Sequence, residues 1–455
     1  MIIQNFKDRK KELRELREIL DSDKFEFIII YGRRRIGKTS LILEATKNMN
    51  RIYYLAIEQN NLERFYNVCR NHFPEIKNLR MDYEALFEYL KDRVDVVIID
   101  EFQNIIKEDK SIISLFQAII DNILINSKIK LFILGSSISI ISSRVLSYKS
   151  PLYGRKTGSI KLKPVRFIDL REFFPNAKIE ELLCIYGFTD GIPYYLTRID
   201  TDFWKWLSNE LIRERTFLKD EVEFLMRYEF EDPGTYKSIL EAIAFGNTKI
   251  SEIKNFIKAK RTDITPYLRN LIEIGLIERI VPITENIKSR NGRYYITDNF
   301  TRFWFRFIYP NISSIEEGIF DINQIKREYN TYLGSIFEKV CKQLITNGII
   351  PFKATRIGKW WHKEQEIDIV AINENTKEIL LAECKWKNNV KPEKILKELE
   401  EKAKNIEWNK NKRREIYTIF AKNFKEKIRE YNNKKVYCID LKDIEKYIKK
   451  TRVKP

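Results

Sequence analysis

Residues Gly32 to Thr39 read GRRRIGKT, and the segments on either side of them decide the fold. Phe25 to Tyr31, before them, is a short apolar run; Thr39 to Asn48, after them, has the spacing of an amphipathic helix. A strand, a Gly-x-x-x-x-Gly-Lys-Thr turn and a helix start make a phosphate cradle. Gly32 and Gly37 allow the backbone N–H groups of the stretch Gly32, Arg33, Arg34, Arg35, Ile36, Gly37, Lys38, Thr39 and Ser40 to curl around phosphate oxygens. Lys38 is placed to reach the β and γ oxygens of ATP, and Thr39 to hold Mg²⁺. The helix N-terminus adds favourable partial charge.

Further along, Val94 to Asp100 reads VDVVIID, an apolar strand that ends in an acid and is followed at once by Glu101. Asp100 is positioned for the magnesium shell, and Glu101 to polarise the attacking water. A third apolar run, Lys130 to Leu134, ends in Gly135-Ser136-Ser137; the Ser136 hydroxyl either senses the γ-phosphate or simply forms the turn. Strands at Ile52 to Ile57 and Ser159 to Leu162 alternate with helices at Asn61 to His72, Tyr83 to Asp92 and Ser111 to Asn126. That alternation predicts an α/β domain with a parallel sheet covered on both faces.

These motifs, with FKDRKKELREL (Phe6 to Leu16), IIDEFQ, LGSS (Leu134 to Ser137), LYGR (Leu152 to Arg155) and GIPYYL (Gly191 to Leu196), together resemble the archaeal ATPase family. That family lies near the signal-transducing P-loop ATPases of the AAA-like group. The resemblance covers roughly residues 1 to 310. It implies a P-loop NTPase fold whose five-stranded sheet has a strand inserted between the Walker A and Walker B strands, then a helical lid, then a winged helix. By the same resemblance, Pro193 approaches the nucleotide from the lid. Arg155 becomes a candidate γ-phosphate arginine or an inter-subunit one, which would require a homo-oligomer.

After Asp232-Pro233-Gly234 the spacing predicts three short helices, Tyr236 to Ala244, Lys249 to Ile257 and Asp263 to Gly275. Two strand-like runs follow, Ile277 to Ile283 and Gly292 to Thr297. This is the order of a winged helix-turn-helix. Lys258, Lys260, Arg261 and Arg269, with Lys288, Arg290 and Arg293 of the ribbon, form either a phosphate-binding face or a solvated one.

Near the C-terminus EQEIDIVAI (Glu364 to Ile372) precedes ILLAECKWK (Ile379 to Lys387). Strand alternation predicts Glu366 and Asp368 on one face with Ile367 and Ile369 on the other, and Glu383 with Lys385 on one face with Cys384 and Trp386 behind. An acid followed on the next strand by acid-x-lysine is an arrangement in which Asp368 and Glu383 bind Mg²⁺ and Lys385 orients water. Glu338, on a preceding helix, is a plausible third acid. The pattern resembles the PD-(D/E)XK restriction-endonuclease-like fold, although no proline precedes Asp368. The expected organisation is therefore residues 1–175 ATPase core, 176–232 helical lid, 233–310 winged helix and 311–455 nuclease-like domain.

Composition bounds this reading. A chain of 455 residues with 44% hydrophobic and 13% aromatic residues is too rich in core formers to be mainly disordered, and its length suits about three domains. The net charge of +18 favours polyanions such as DNA, although an AT-rich or heat-adapted genome also raises lysine. Residues 387–455 hold 22 Lys and Arg against 11 Asp and Glu, so over half of the excess lies beside the acidic strands. Trp360, Trp361, Trp386 and Trp408 offer rings for base stacking, though core packing is their more ordinary use. Five cysteines without a Cys-x-x-Cys pair argue against a disulfide framework. A charged start and the lack of a long apolar run predict a cytoplasmic chain with no membrane span. His72 and His362 make no zinc site with these cysteines.

Overall fold

The computed structural model describes residues 6–452 apart from 201, 214–215, 231 and 260–262, so Lys260 and Arg261 lie outside the described residues. The chain forms two compact units, one reaching to Val165 and including Ile192–Tyr194, the other holding the remainder from Arg166.

In the first unit five strands, β1 (Glu26–Tyr31), β2 (Arg51–Leu55), β3 (Val96–Asp100), β4 (Lys130–Gly135) and β5 (Gly158–Lys161), pair in parallel in the order β2-β3-β4-β1-β5. β4 lies between the strand that feeds the loop and the strand that ends in Asp100, as expected. Consecutive Ile, Val, Leu and Phe side chains of β1, β3 and β4 are buried on both faces, which requires helices on both. Burying one such side chain contributes about 2 to 3 kcal/mol. The helix at Ser111 to Asn126 is regular over Ile112–Ile119 and then widens into a π-turn over Ile120–Leu124.

The second unit opens with helices Ile179–Thr189, Phe203–Ile212 and Glu221–Glu229. Helices Pro233–Ala244, Ile250–Phe256 and Thr265–Glu273 then lead to an antiparallel pair, β6 (Ile277–Ile280) and β7 (Arg293–Ile296). Asp232 caps the first of these three helices by accepting from the Gly234 N–H, and Pro233 stands in its first turn, where no N–H is needed.

After the long helix Asn323–Thr346 comes a six-stranded sheet: β8 (Arg356–His362), β9 (Gln365–Asn373), β10 (Glu378–Lys385), β11 (Arg414–Ala421), β12 (Glu430–Tyr431) and β13 (Lys434–Ile439). Their order is β12-β13-β11-β10-β9-β8. After Lys387 come helices Pro392–Ala403 and Leu441–Arg452, with β11 and β13 between them. β9 is bulged. Gly358 pairs with Val370 and Trp360 with Ile367, so Lys359 alone faces both Asp368 and Ile369. Ile367, Val370 and Ile372 accordingly enter one apolar cluster, and the strict alternation expected for β9 is corrected at Asp368.

The segment joining β6 to β7 lies along β8. The Ile283 N–H donates to the Lys359 carbonyl at 2.9 Å, the Arg356 guanidinium donates to the Ile283 carbonyl, and the Ile283 side chain joins Trp360 and Ile367 in the core. Trp360, Trp361 and Trp386 are buried and Trp408 packs on the same core, so all four indoles serve packing. None of the five cysteines is in a disulfide. No described helix is long and apolar enough to cross a membrane.

Candidate functional sites

The phosphate loop is shaped by two glycines. A Cβ on Gly32 would meet the Leu162 carbonyl oxygen at 2.6 Å, and Gly37 has φ 90°, a conformation that favours glycine. Lys38, buried at the start of the helix Lys38–Ala45, donates to the carbonyls of Gly32 (3.0 Å) and Arg33 (3.1 Å). Thr39 Oγ1 donates to Asp100 Oδ2 at 2.5 Å, and the Tyr53 hydroxyl donates to the same oxygen at 3.1 Å. Asp100 is almost fully buried, and that burial raises its pKa despite these bonds. A hydroxyl and a carboxylate oxygen together at the first turn of a helix are the hard oxygen donors that Mg²⁺ prefers.

Glu101 follows at the end of β3 with φ 53°, the left-handed region that a side-chain-bearing residue rarely enters. Its backbone N–H donates to Asp100 Oδ1 (2.8 Å). Its Oε2 accepts from the Ser136 hydroxyl (2.5 Å) and from the Gln103 amide. Gln103 also donates to Ser136 Oγ at 3.2 Å. Ser136 therefore stands in the acidic cluster and does more than form a turn.

Four residues of this site were given no role from the sequence, although Arg9, Gln103 and Tyr194 lie in stretches that carry the family resemblance. Arg9, buried, donates to the Ile36 carbonyl (3.2 Å) and to the Lys163 carbonyl (2.7 Å), bracing the loop from the N-terminal segment. Tyr53 and Gln103 hold the two acids. Tyr194 lies under the Arg35 guanidinium at 4.0 Å. Its neighbour Pro193 stands beside Gly37, where an added Cβ would come within 3.9 Å of the proline ring. Arg155 is placed on Asp121, by Nη2 at 2.9 Å and Nε at 3.1 Å, and on the Pro151 carbonyl.

In the C-terminal sheet Asp368 Oδ2 accepts from the Cys384 N–H at 2.8 Å. Glu383, buried, is held by Lys385 Nζ (2.5 Å) and by Lys402 Nζ (2.7 Å) from the helix Pro392–Ala403. Glu383 and Lys385 share a face as expected. Trp386 lies against Phe337 of the long helix, with ring centroids 5.1 Å apart. Glu338 is bound by Lys359 (2.5 Å), which also lies 3.5 Å from Glu366; Glu366 in turn pairs with Arg293 of β7 at 2.9 Å.

The expectation that Glu338, Asp368 and Glu383 form one three-acid metal group is corrected. Among the described residues no three His, Cys, Asp or Glu side chains are grouped to hold a metal ion. Lys359 binds Glu338, and Lys385 and Lys402 bind Glu383, while Asp368 stands near enough to feel the charge of both acids. Lys359 and Lys402 carry no local sequence signal, since each meets its acid only through the fold. Arg293, read as a cation open to phosphate, is instead largely buried against Glu366 and the Trp361 ring; Lys258, Arg269, Lys288 and Arg290 are exposed.

Burial, and then the charges of Glu338 and Glu383, push the Asp368 pKa up to about 7 from an ordinary 3.8. The folded protein therefore binds this proton more tightly than the unfolded chain. Stability falls as pH rises from about 4 to about 7, and the full cost remains above that. Asp368→Asn is expected to stabilise the protein by about 2 kcal/mol near pH 8, after discounting for solvent around a half-buried group, and by nothing near pH 4. Chemical denaturation at the two pH values reads this; equal gains at both would show that charge at Asp368 is not the cause.

Residues 6–199 match a family described as an ATPase domain predominantly from Archaea. Residues 304–404 match one described as archaeal and bacterial proteins of unknown function. An uncharacterized protein of Methanocaldococcus jannaschii is 52% identical over 446 residues, covering 96% of this chain and 99% of that one. Among solved structures, a Walker-type ATPase of Pyrococcus abyssi superposes with a TM-score of 0.51 at 22% identity, covering 66% of this chain and 96% of that one. The ORC2 protein of Aeropyrum pernix gives a TM-score of 0.44 at 15% identity, covering 72% of this chain and 96% of that one.

Proposed function

Because this chain belongs to the archaeal ATPase family, with its ATPase domain at residues 6–199, we propose that it hydrolyses ATP and that its nucleotide state regulates a C-terminal, Mg²⁺-dependent nuclease-like domain acting on DNA. The observation that carries the hydrolytic half is the joined cluster of Thr39, Asp100, Glu101 and Ser136 beside Lys38. A protein that only bound nucleotide would need the cradle but not a second acid with its own hydroxyl and amide partners. Lys38 would neutralise phosphate charge, and Thr39 and Asp100 would hold Mg²⁺, which supplies charge stabilisation. Glu101 would take up or orient the proton of water. Pro193 and Arg35 line the loop on the side of Tyr194, and Arg155 serves a neighbouring subunit if the protein is a homo-oligomer.

The domain plan we favour is an ATPase core (1–175), lid (176–232), winged helix (233–310) and nuclease-like domain (311–455), in the cytoplasm. For the last domain the support is Asp368, Glu383 and Lys385 gathered at the bulge, with a raised Asp368 pKa that a divalent cation would relieve. In cleavage Lys385 would orient water or offset charge on the phosphate, and the two acids would supply oxygen donors.

A second reading is favoured by one observation: Glu383 is held by two ammonium groups, those of Lys385 and Lys402. In that reading the domain binds DNA or a protein without cutting. The test incubates the protein with ATP, Mg²⁺ or Mn²⁺, and linear, supercoiled and single-stranded DNA, beside Lys38→Ala and Asp368→Ala. Cleavage lost in Asp368→Ala and altered in Lys38→Ala is the expected result. Intact ATP turnover with no cleavage of any DNA form would leave the non-cleaving reading.

A further inference from the structure

A cleft of about 410 Å³ lies between the β6–β7 ribbon and the β8–β9 turn, lined among others by Lys249, Arg279, Arg290, Arg293, His362 and Lys363. Of the charged side chains around it, five are cationic and one, Glu285, is acidic. Three of the cations are engaged: Arg279 by the carbonyls of Ile287 and Ser289, Arg293 by Glu366, and Lys249 by Glu252. Arg290 and Lys363 are exposed and make no ion pair among the described residues. Like charges gathered around a concave surface raise the local potential and concentrate anions there.

The cleft is fixed in place. Its ribbon wall is held to β8 by the backbone bond from Ile283 to Lys359, and Arg293 links it to Glu366. From Glu366 the path continues through Lys359, which faces the bulge that carries Asp368. The ion pairs thus run from the cleft wall to the residue opposite Asp368.

We propose that this cleft is the phosphate-backbone track that seats duplex DNA for the Asp368–Glu383 site, with Arg290 and Lys363 as its direct phosphate contacts on the two walls. The inference rests on the DNA reading above and deepens it by naming where the polymer is held. Contacts of this kind are indifferent to base sequence and strongly dependent on salt.

The test measures fluorescence anisotropy of a labelled DNA duplex with the full chain over a salt series, for wild type, Arg290→Glu/Lys363→Glu and Arg290→Ala/Lys363→Ala. Circular dichroism and melting temperature check folding. The charge-reversed pair is expected to weaken binding at least roughly ten-fold. The alanine pair should bind more weakly by a smaller factor and lower the slope of log K against log salt by about two. Inorganic phosphate at matched ionic strength is expected not to compete.

Wild-type affinity and slope in both folded variants would overturn the track while leaving DNA action by the C-terminal domain standing. Competition by inorganic phosphate would replace the track by a small-anion site. Lost binding in the variants, with no cleavage by wild type, would keep the track and remove the nuclease. No binding by wild type would remove both.

Discussion

Glu101→Gln is expected to lower ATP turnover by about two to four orders of magnitude while leaving nucleotide affinity within a few-fold of wild type. The substitution keeps size and shape at a residue that sits at φ 53° after β3, so the backbone is not asked to change. It removes the one carboxylate charge that the Ser136 hydroxyl and the Gln103 amide both address. Asp100, Thr39 and Lys38 remain, and with them the groups that would bind phosphates and metal. Steady-state hydrolysis and equilibrium titration with a fluorescent nucleotide separate the two effects. Turnover within a few-fold of wild type would mean that another group orients the water. A loss of affinity as large as the loss of turnover would place Glu101 in binding instead. Left-handed backbone at a non-glycine residue persists where the surroundings hold it, and at this position they do so through the Asp100 carboxylate, which accepts the Glu101 N–H.

Lys339→Met is expected to destabilise the second compact unit by about 3 kcal/mol. The ammonium of Lys339 has three donors and three acceptors: the Asp190 carboxylate, the Thr297 carbonyl at 2.7 Å and Asn299 Oδ1 at 3.2 Å. These come from the end of the helix Ile179–Thr189, from the residue after β7 and from the next helix start. One side chain of the long helix thus joins three segments. Asp190 is buried, so removing the cation strands its charge, and most of the cost is that desolvation rather than the lost attraction. Asp190→Asn combined with Lys339→Met should recover much of the loss. Denaturant unfolding of the four proteins in a double-mutant cycle measures it. A single Lys339→Met cost below about 1 kcal/mol would show that water reaches the carboxylate freely.

What was legible in the sequence was what is local. GRRRIGKT, the acid pair after Val94 to Ile99 and the Glu-x-Lys of β10 each declare themselves within ten residues, because a turn or a strand end brings neighbours together without help from the rest of the chain. The five-stranded sheet followed from apolar runs separated by helices of ordinary length. The bulge in β9 was not legible: its cause is that β8 supplies one residue where β9 supplies two, a property of the pairing and not of either strand. β11 and β13 were hidden for a different reason. Lys and Glu dominate the segment, yet Ile416 to Ala421 is buried between two parallel neighbours, and a short apolar run of that kind cannot be told from a helix by periodicity. Tertiary partners such as Tyr53, Lys359 and Lys402 had no local signal at all. Arg293 looked like an exposed base only because Glu366, its partner, stands 73 positions away.

The Ile283 bond to Lys359 also bears on how copies of this protein can associate. β8 is one border of the six-stranded sheet, and a bare border strand offers a row of unmatched amides and carbonyls on which another chain can grow. Here the ribbon segment occupies part of that row, and at the far border β12 is only two residues long. Neither border of this sheet is an inviting template for strand addition, so crowded or partly unfolded chains have less opportunity to stack into fibrils through it.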